Sequence, residues 1–130
     1  MSAPTRRRFL VGAGATCAGA LLGGRVRAGS AHVVVVGGGF GGATCARYLR
    51  ALDAGIAVTL VEPARTIATC PFSNLVVAGL AGMDAIAHGF LGLRAAGVDV
   101  VHDTAVALDA ARRTLRLAGG RRLVYDRLVV

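Results

Sequence analysis

Val33-Val34-Val35-Val36-Gly37-Gly38-Gly39-Phe40-Gly41-Gly42 decides the fold of this 130-residue chain. Four consecutive β-branched residues are the composition of a strand buried on both faces, as the central strands of parallel sheets are. The run passes directly into glycines that satisfy G-x-G-x-x-G, with Gly37, Gly39 and Gly42 at the three required places and Phe40 and Gly41 between them. In such a loop the first glycine lets the chain turn off the strand and the second lets backbone N–H groups approach a diphosphate. The third lets the following helix pack close to the strand. A diphosphate would then lie at the helix N-terminus.

Outward from the glycines, Cys45, Leu49 and Leu52 recur at helical spacing, with Arg47, Arg50 and Asp53 off that stripe and Gly55 as a stop. Ile56 to Val61 reads as a second strand, and it ends in Glu62, twenty positions beyond Gly42. A carboxylate there can accept hydrogen bonds from both hydroxyls of a ribose. A lone glycine motif is weak, but strand, glycines, helix, second strand and terminal acid in this order specify a dinucleotide-binding βαβ unit.

Beyond Glu62, Ser73 or Asn74 is expected to cap a short helix running through Gly79, and a second helix is expected from near Asp84 to before Gly97. Val98 to Val101 reads as a third strand, parallel to the first two because a helical crossover precedes it. From Ala105 the pattern changes to short alternating runs about Asp109-Ala110-Ala111-Arg112 and Ala118-Gly119-Gly120, an antiparallel β-meander. Leu128-Val129-Val130 reads as another buried strand, and a chain that stops inside a strand is expected to be a fragment or a truncated product. The fold class is therefore α/β, a Rossmann-like parallel βαβ unit with an antiparallel meander, cut before the rest of its domain.

The formal net charge is +8, yet five of the fifteen basic residues, all arginine, lie before residue 29, where there is no acid. What remains carries ten arginines against seven carboxylates without a basic stripe interleaved with aromatics, which argues against a nucleic-acid partner. Cys17, Cys45 and Cys70 show no metal-ligand spacing and no disulfide framework, so no metal is expected. Cys45 reads as packing on the helix, and His88 and His102 as structural or solvated.

Residues 1–28 form a unit of their own. Thr5-Arg6-Arg7-Arg8-Phe9-Leu10 resembles the twin-arginine export signal, departing from it at Val11. The apolar segment from Leu10 to about Gly24 is short of the roughly 20 residues of a membrane span, so no stable span is expected after cleavage. Val26-Arg27-Ala28 supplies small residues at the −3 and −1 positions of a cleavage site, placing a mature domain at 29–130 in the periplasm. Gly14-Ala15-Thr16 before Cys17 lacks the leucine of a lipoprotein signal.

Five stretches together carry a resemblance: the valine-glycine run through Thr44, Val58 to Pro63, Thr69-Cys70-Pro71-Phe72-Ser73-Asn74, Val100 to Asp103, and Tyr125 to Val130. In them Val33 to Val130 resembles the start of the flavoprotein subunits of flavocytochrome c sulfide dehydrogenases, within the pyridine nucleotide-disulfide oxidoreductase superfamily. Thr69 to Asn74 behind a twin-arginine signal is the narrowest match. The resemblance implies FAD on the glycine loop, Phe40 and Glu62, and a covalent thioether from Cys70 to the flavin. It also implies sulfide or another small sulfur compound as substrate and a cytochrome c subunit as electron acceptor. The chain lacks the second nucleotide-binding-like domain and both redox cysteines of that family, so no catalytic residue is assigned within it. The alternatives are an enzyme of the sulfide:quinone reductase kind, another FAD- or NAD(P)-dependent oxidoreductase, and a non-catalytic dinucleotide-binding fragment.

Overall fold

The computed structural model describes residues 30–130; the export signal expected at 1–28 lies outside them. Four parallel strands form the central sheet: β1 (His32–Val36), β2 (Ala57–Val61), β5 (Asp99–Val101) and β9 (Arg127–Val129), in the order β5-β2-β1-β9. The period-2 geometry of a strand sends successive side chains to opposite faces, and the chain uses both. Val33, Val35, Val58, Leu60 and Val100 enter a core shared with the helices, whereas Val34 and Val61 enter a second core beneath the meander. A strand covered on both sides can be all valine, which is why β1 shows no alternation.

The helical face is built from α1 (Phe40–Leu52), whose fully buried residue is Ala46. Ala43, Cys45 and Leu49 pack partly buried against the same core, so Cys45 does serve packing. The expected stripe fails at Leu52, which is 81% exposed. Gly42 and Ala46 are small and bring the helix tightly onto β1, so small side chains make the contact, and the last turn is left in solvent. Past that turn, the Arg50 guanidinium donates to the carbonyls of Ala54 and Ile56 and secures the entry to β2.

Between β2 and β5 the chain departs from the two-helix expectation. It forms β3 (Thr66–Ala68), α2 (Ser73–Val77), a single 3₁₀ turn at Met83–Ala85, β4 (Ala87–Gly89) and α3 (Leu91–Ala95). β3 and β4 pair antiparallel, with Ile67 opposite His88. The helix expected from Asp84 is thus interrupted: Gly89 and Gly92 weaken helix formation there, and the backbone of 87–89 gains a strand partner instead. Gly97, at φ +83°, closes α3. At α2 neither Ser73 nor Asn74 caps by its side chain; the cap position is Phe72 at φ +66°, and backbone turns close the end. Gly79, at φ +72°, does end that segment.

The third layer is the meander β6 (Ala105–Asp109), β7 (Thr114–Leu117) and β8 (Arg122–Val124), antiparallel in that order with an irregularity between Ala105 and Ala107. Leu115, Leu117, Leu123 and Tyr125 point inward and cover Val34 and Val61. β9 then returns to pair with β1, and among the described residues it stands at the edge of the sheet rather than buried within it. Leu128 is half-buried, Val130 is 91% exposed, and the helical layer does not reach over it. His32 ties these parts together. Its backbone N–H donates to Asp126 (2.7 Å), and its ring nitrogens lie 2.7 Å from the Val124 carbonyl and 2.9 Å from Oγ1 of the buried Thr59.

Candidate functional site

The C-terminal ends of β1 and β2 define the site, since ligands of open α/β sheets bind outside the carboxyl ends of their strands. Gly37 leaves β1 at φ +99°, a conformation a side chain disfavours, while its N–H still donates to Val61 on β2 (2.9 Å). Gly42 has no room for a side chain at all, because a Cβ there would fall onto the Gly37 carbonyl oxygen and press on Val35. This contact is what lets α1 start so close to the strand. Gly39 is the opposite case, with no atom within 4 Å of where a Cβ would be. It is the N-cap of α1, extended, with no side-chain cap and no acid in the first turn. The first N–H groups of a 13-residue helix therefore face open space at its positive end.

Glu62 sits beside this loop. Its Oε2 accepts from the Gly38 N–H at 2.7 Å and its Oε1 from the Ala64 N–H at 2.9 Å. The two bonds hold the half-buried carboxylate rigidly and leave each oxygen further lone pairs. Gly38 itself is pinned between Glu62 and the ring of Phe90, either of which a Cβ at position 38 would meet at under 3 Å. Phe90 is 5% exposed and lies 5.8 Å, centroid to centroid, from the ring of His102, whose Nδ1 is 3.1 Å from the Glu62 carbonyl. Phe90 and His102 support the loop from below, and nothing local in the sequence marks them for it; only the return of β4 and β5 to the same place does.

A cleft of about 210 Å³ opens over Gly38, Gly39 and Phe40, and its far wall is Ile67, Thr69 and His88 from the β3–β4 hairpin. Phe40 is 60% exposed at its rim. Thr69 is fixed by its N–H to the Ile86 carbonyl (2.9 Å). Cys70, the next residue, is exposed and has no disulfide partner among the described residues. The hairpin thus brings the segment that carries Cys70 back to the glycine loop, whereas Cys45 lies on the packed side of α1. His88 is an exposed residue on the cleft wall. Among the described residues no group of His, Cys, Asp or Glu is arranged to hold a metal, and no helix is long and apolar enough to cross a membrane.

An uncapped helix N-terminus, an open Gly39 and an acid fixed at the tip of β2 fit the diphosphate and ribose of a dinucleotide. The cleft, at about 210 Å³, is smaller than the roughly 300–1,000 Å³ of sites that enclose a whole ligand of that size, so it has room for only part of one.

Comparison with known proteins follows the same line. A family model described as pyridine nucleotide-disulphide oxidoreductase matches residues 31–130. The flavoprotein chain of sulfide dehydrogenase [flavocytochrome c] from Chlorobaculum thiosulfatiphilum is 67% identical over 48 residues, which are 37% of this chain and all of that sequence. Among solved structures, the sulfide:quinone oxidoreductase of Aquifex aeolicus superposes with a TM-score of 0.71 at 26% identity, covering 76% of this chain and 23% of that one. An NAD-dependent persulfide reductase from A. fulgidus gives a TM-score of 0.63 at 25% identity over 75% of this chain and 20% of its own. The chain thus spans about a quarter or less of the length of these solved relatives.

Proposed function

The chain belongs to the pyridine nucleotide-disulphide oxidoreductase family, and from that premise we propose that residues 29–130 are the FAD-holding part of an exported flavoprotein that oxidises sulfide and passes the electrons to a cytochrome c subunit. The observation that carries the reading is the pairing of an uncapped α1 N-terminus with a Glu62 carboxylate already fixed by the Gly38 N–H. The likeness to the Chlorobaculum flavoprotein chain supports the choice of substrate and partner.

Each residue has a task in this proposal. The N–H groups of Phe40, Gly41 and Gly42 orient the diphosphate, and Gly37 and Gly39 admit it. Glu62 accepts the ribose hydroxyls with its free lone pairs. Phe90 keeps water from beneath the loop. Cys70, exposed at the end of the β3 segment, would supply the thiol for a thioether to a ring methyl carbon of the flavin, a coupling that breaks the S–H bond and one methyl C–H bond and leaves the electron pair on the flavin, which its acceptor then removes; the bond would keep the cofactor attached after export. FAD, when bound, takes two electrons from the sulfur compound and returns them singly to a haem protein.

The test uses the subunit that contains this chain, purified from the periplasm, denatured in acid and weighed. The expected polypeptide carries the added mass of FAD, and Cys70→Ser loses it; an unmodified polypeptide with all flavin in the supernatant removes Cys70 from the proposal. A quinone acceptor is the second reading, favoured by the Aquifex structure. Stopped-flow reoxidation of the sulfide-reduced protein by cytochrome c and by a soluble quinone separates the two.

A further inference from the structure

We propose that the outer face of the β6–β7–β8 meander is a docking surface for an acidic protein partner, separate from the glycine-loop site. Charge is distributed unevenly along the described chain. Residues 30–104 hold four arginines and five carboxylates, whereas residues 105–130 hold six arginines and two carboxylates. The excess positive charge therefore lies on the meander. Within it, Arg116 of β7 and Arg122 of β8 are direct cross-strand partners, and both are exposed on the face opposite Leu115 and Leu123. Like charges placed opposite each other destabilise a sheet. Among the described residues the ion pairs are Arg112 with Asp109 (2.9 Å) and Arg121 with Asp99 (3.8 Å), so neither Arg116 nor Arg122 is compensated.

The same two side chains, with the Arg112–Asp109 ion pair at one end, surround a depression of about 400 Å³ over Ala107 and Thr114, so its uncompensated charge is that of Arg116 and Arg122. Ala107 stands opposite Arg116 in the ladder, and its small side chain leaves the hollow. Val124, 66% exposed and paired with Thr114, adds an apolar patch to the same face. Arginine mixed with apolar area on a broad surface is the composition of a protein interface. A free phosphate is a poorer fit, because the backbone N–H groups between the arginines are engaged in the ladder and have none to offer it. Guanidinium forks spaced along a sheet suit carboxylates spaced along another protein.

Poly-glutamate peptide is the probe, titrated by fluorescence anisotropy into the whole chain at two salt concentrations. Binding should weaken as salt rises, and Arg116→Glu with Arg122→Glu should weaken it by at least about tenfold, whereas reversing the exposed Arg47 and Arg65 should change it by less than about twofold. Equal loss in both double variants would mean attraction by net charge alone and overturn the site. So would inorganic phosphate that displaces the peptide beyond its ionic-strength effect, or phosphatidylserine vesicles whose binding is lost in the meander variant while the peptide's is kept. Arg122→Glu alone places opposite charges across the ladder. It should weaken peptide binding with Tm unchanged or raised; a lowered Tm would show Arg122 to serve the fold and overturn the proposal.

Discussion

Gly42 and Glu62 show how single residues decide this site. Gly42→Ala would drive a methyl group onto the Gly37 carbonyl, and the cost expected for forced overpacking is about 1–3 kcal/mol. Urea unfolding should show that loss, with flavin retention falling in parallel as α1 moves off β1; an unchanged midpoint would mean the helix can shift at no cost. At Glu62 two backbone donors, from Gly38 and Ala64, converge on the carboxylate. Glu62→Gln keeps one acceptor oxygen and turns an NH₂ toward the other donor, so about 1.5–3 kcal/mol is lost across folding and binding together. Flavin affinity and the urea midpoint, measured on the same variant with Cys70 replaced by serine, apportion that loss. Affinity equal to the parent's would end the ribose assignment. Both residues were legible in the sequence because each answers a local demand, a close approach or a strand tip. Phe90 and His102 were not, since a buried Phe or a half-buried His looks the same in sequence wherever the fold places it.

At the scale of elements, the β6–β7 turn carries the clearest electrostatic signature. The Arg112 side chain, and then its backbone N–H, hold the Asp109 carboxyl below the usual carboxylate range. A carboxyl lowered in the folded state contributes stability above its unfolded pKa and loses it as pH falls through the folded value. Asp109→Asn should therefore melt slightly below the parent at neutral pH. The gap should close as acid is added below the ordinary carboxylate range, and a gap that persists there would assign the effect to the turn's hydrogen bonds instead. Glycine and aspartate chemistry made both meander turns readable from sequence, and the strands they join are where expected. The 84–97 segment misled because its spacing of apolar residues also suits a helix, and what chose strand and 3₁₀ turn was pairing with Thr66–Ala68, a partner about twenty positions earlier.

For the whole molecule, the export signal and the flavoprotein reading stand or fall separately. Replacing Arg6 and Arg7 by lysine should hold the precursor in the cytoplasm, seen as loss of the periplasmic fraction in cell fractionation; an unaltered periplasmic yield would refute twin-arginine export and leave the cofactor site untouched. The central sheet is common ground for both core layers, so damage there should not stay local. Leu60→Ala, at a position with no exposure, is expected to cost about 2–5 kcal/mol and to unfold helices and meander together in one transition by far-UV and near-UV circular dichroism.

The sequence by itself determined the parallel βαβ unit, the glycine turn from β1 into α1, the acid at the tip of β2 and the antiparallel meander. Those features depend on residues close in the chain, through β-branching, glycine conformation and turn chemistry. Only the tertiary structure decided that Leu52 faces solvent, that β9 stands at the edge of the described sheet, that His32 joins β1 to Thr59 and Asp126, and that the Cys70 segment comes back beside Gly39. The same holds for the opposed arginines of β7 and β8. Each of these is set by which segments meet in space, and a period of apolar residues records how a segment is half-covered without recording what covers it.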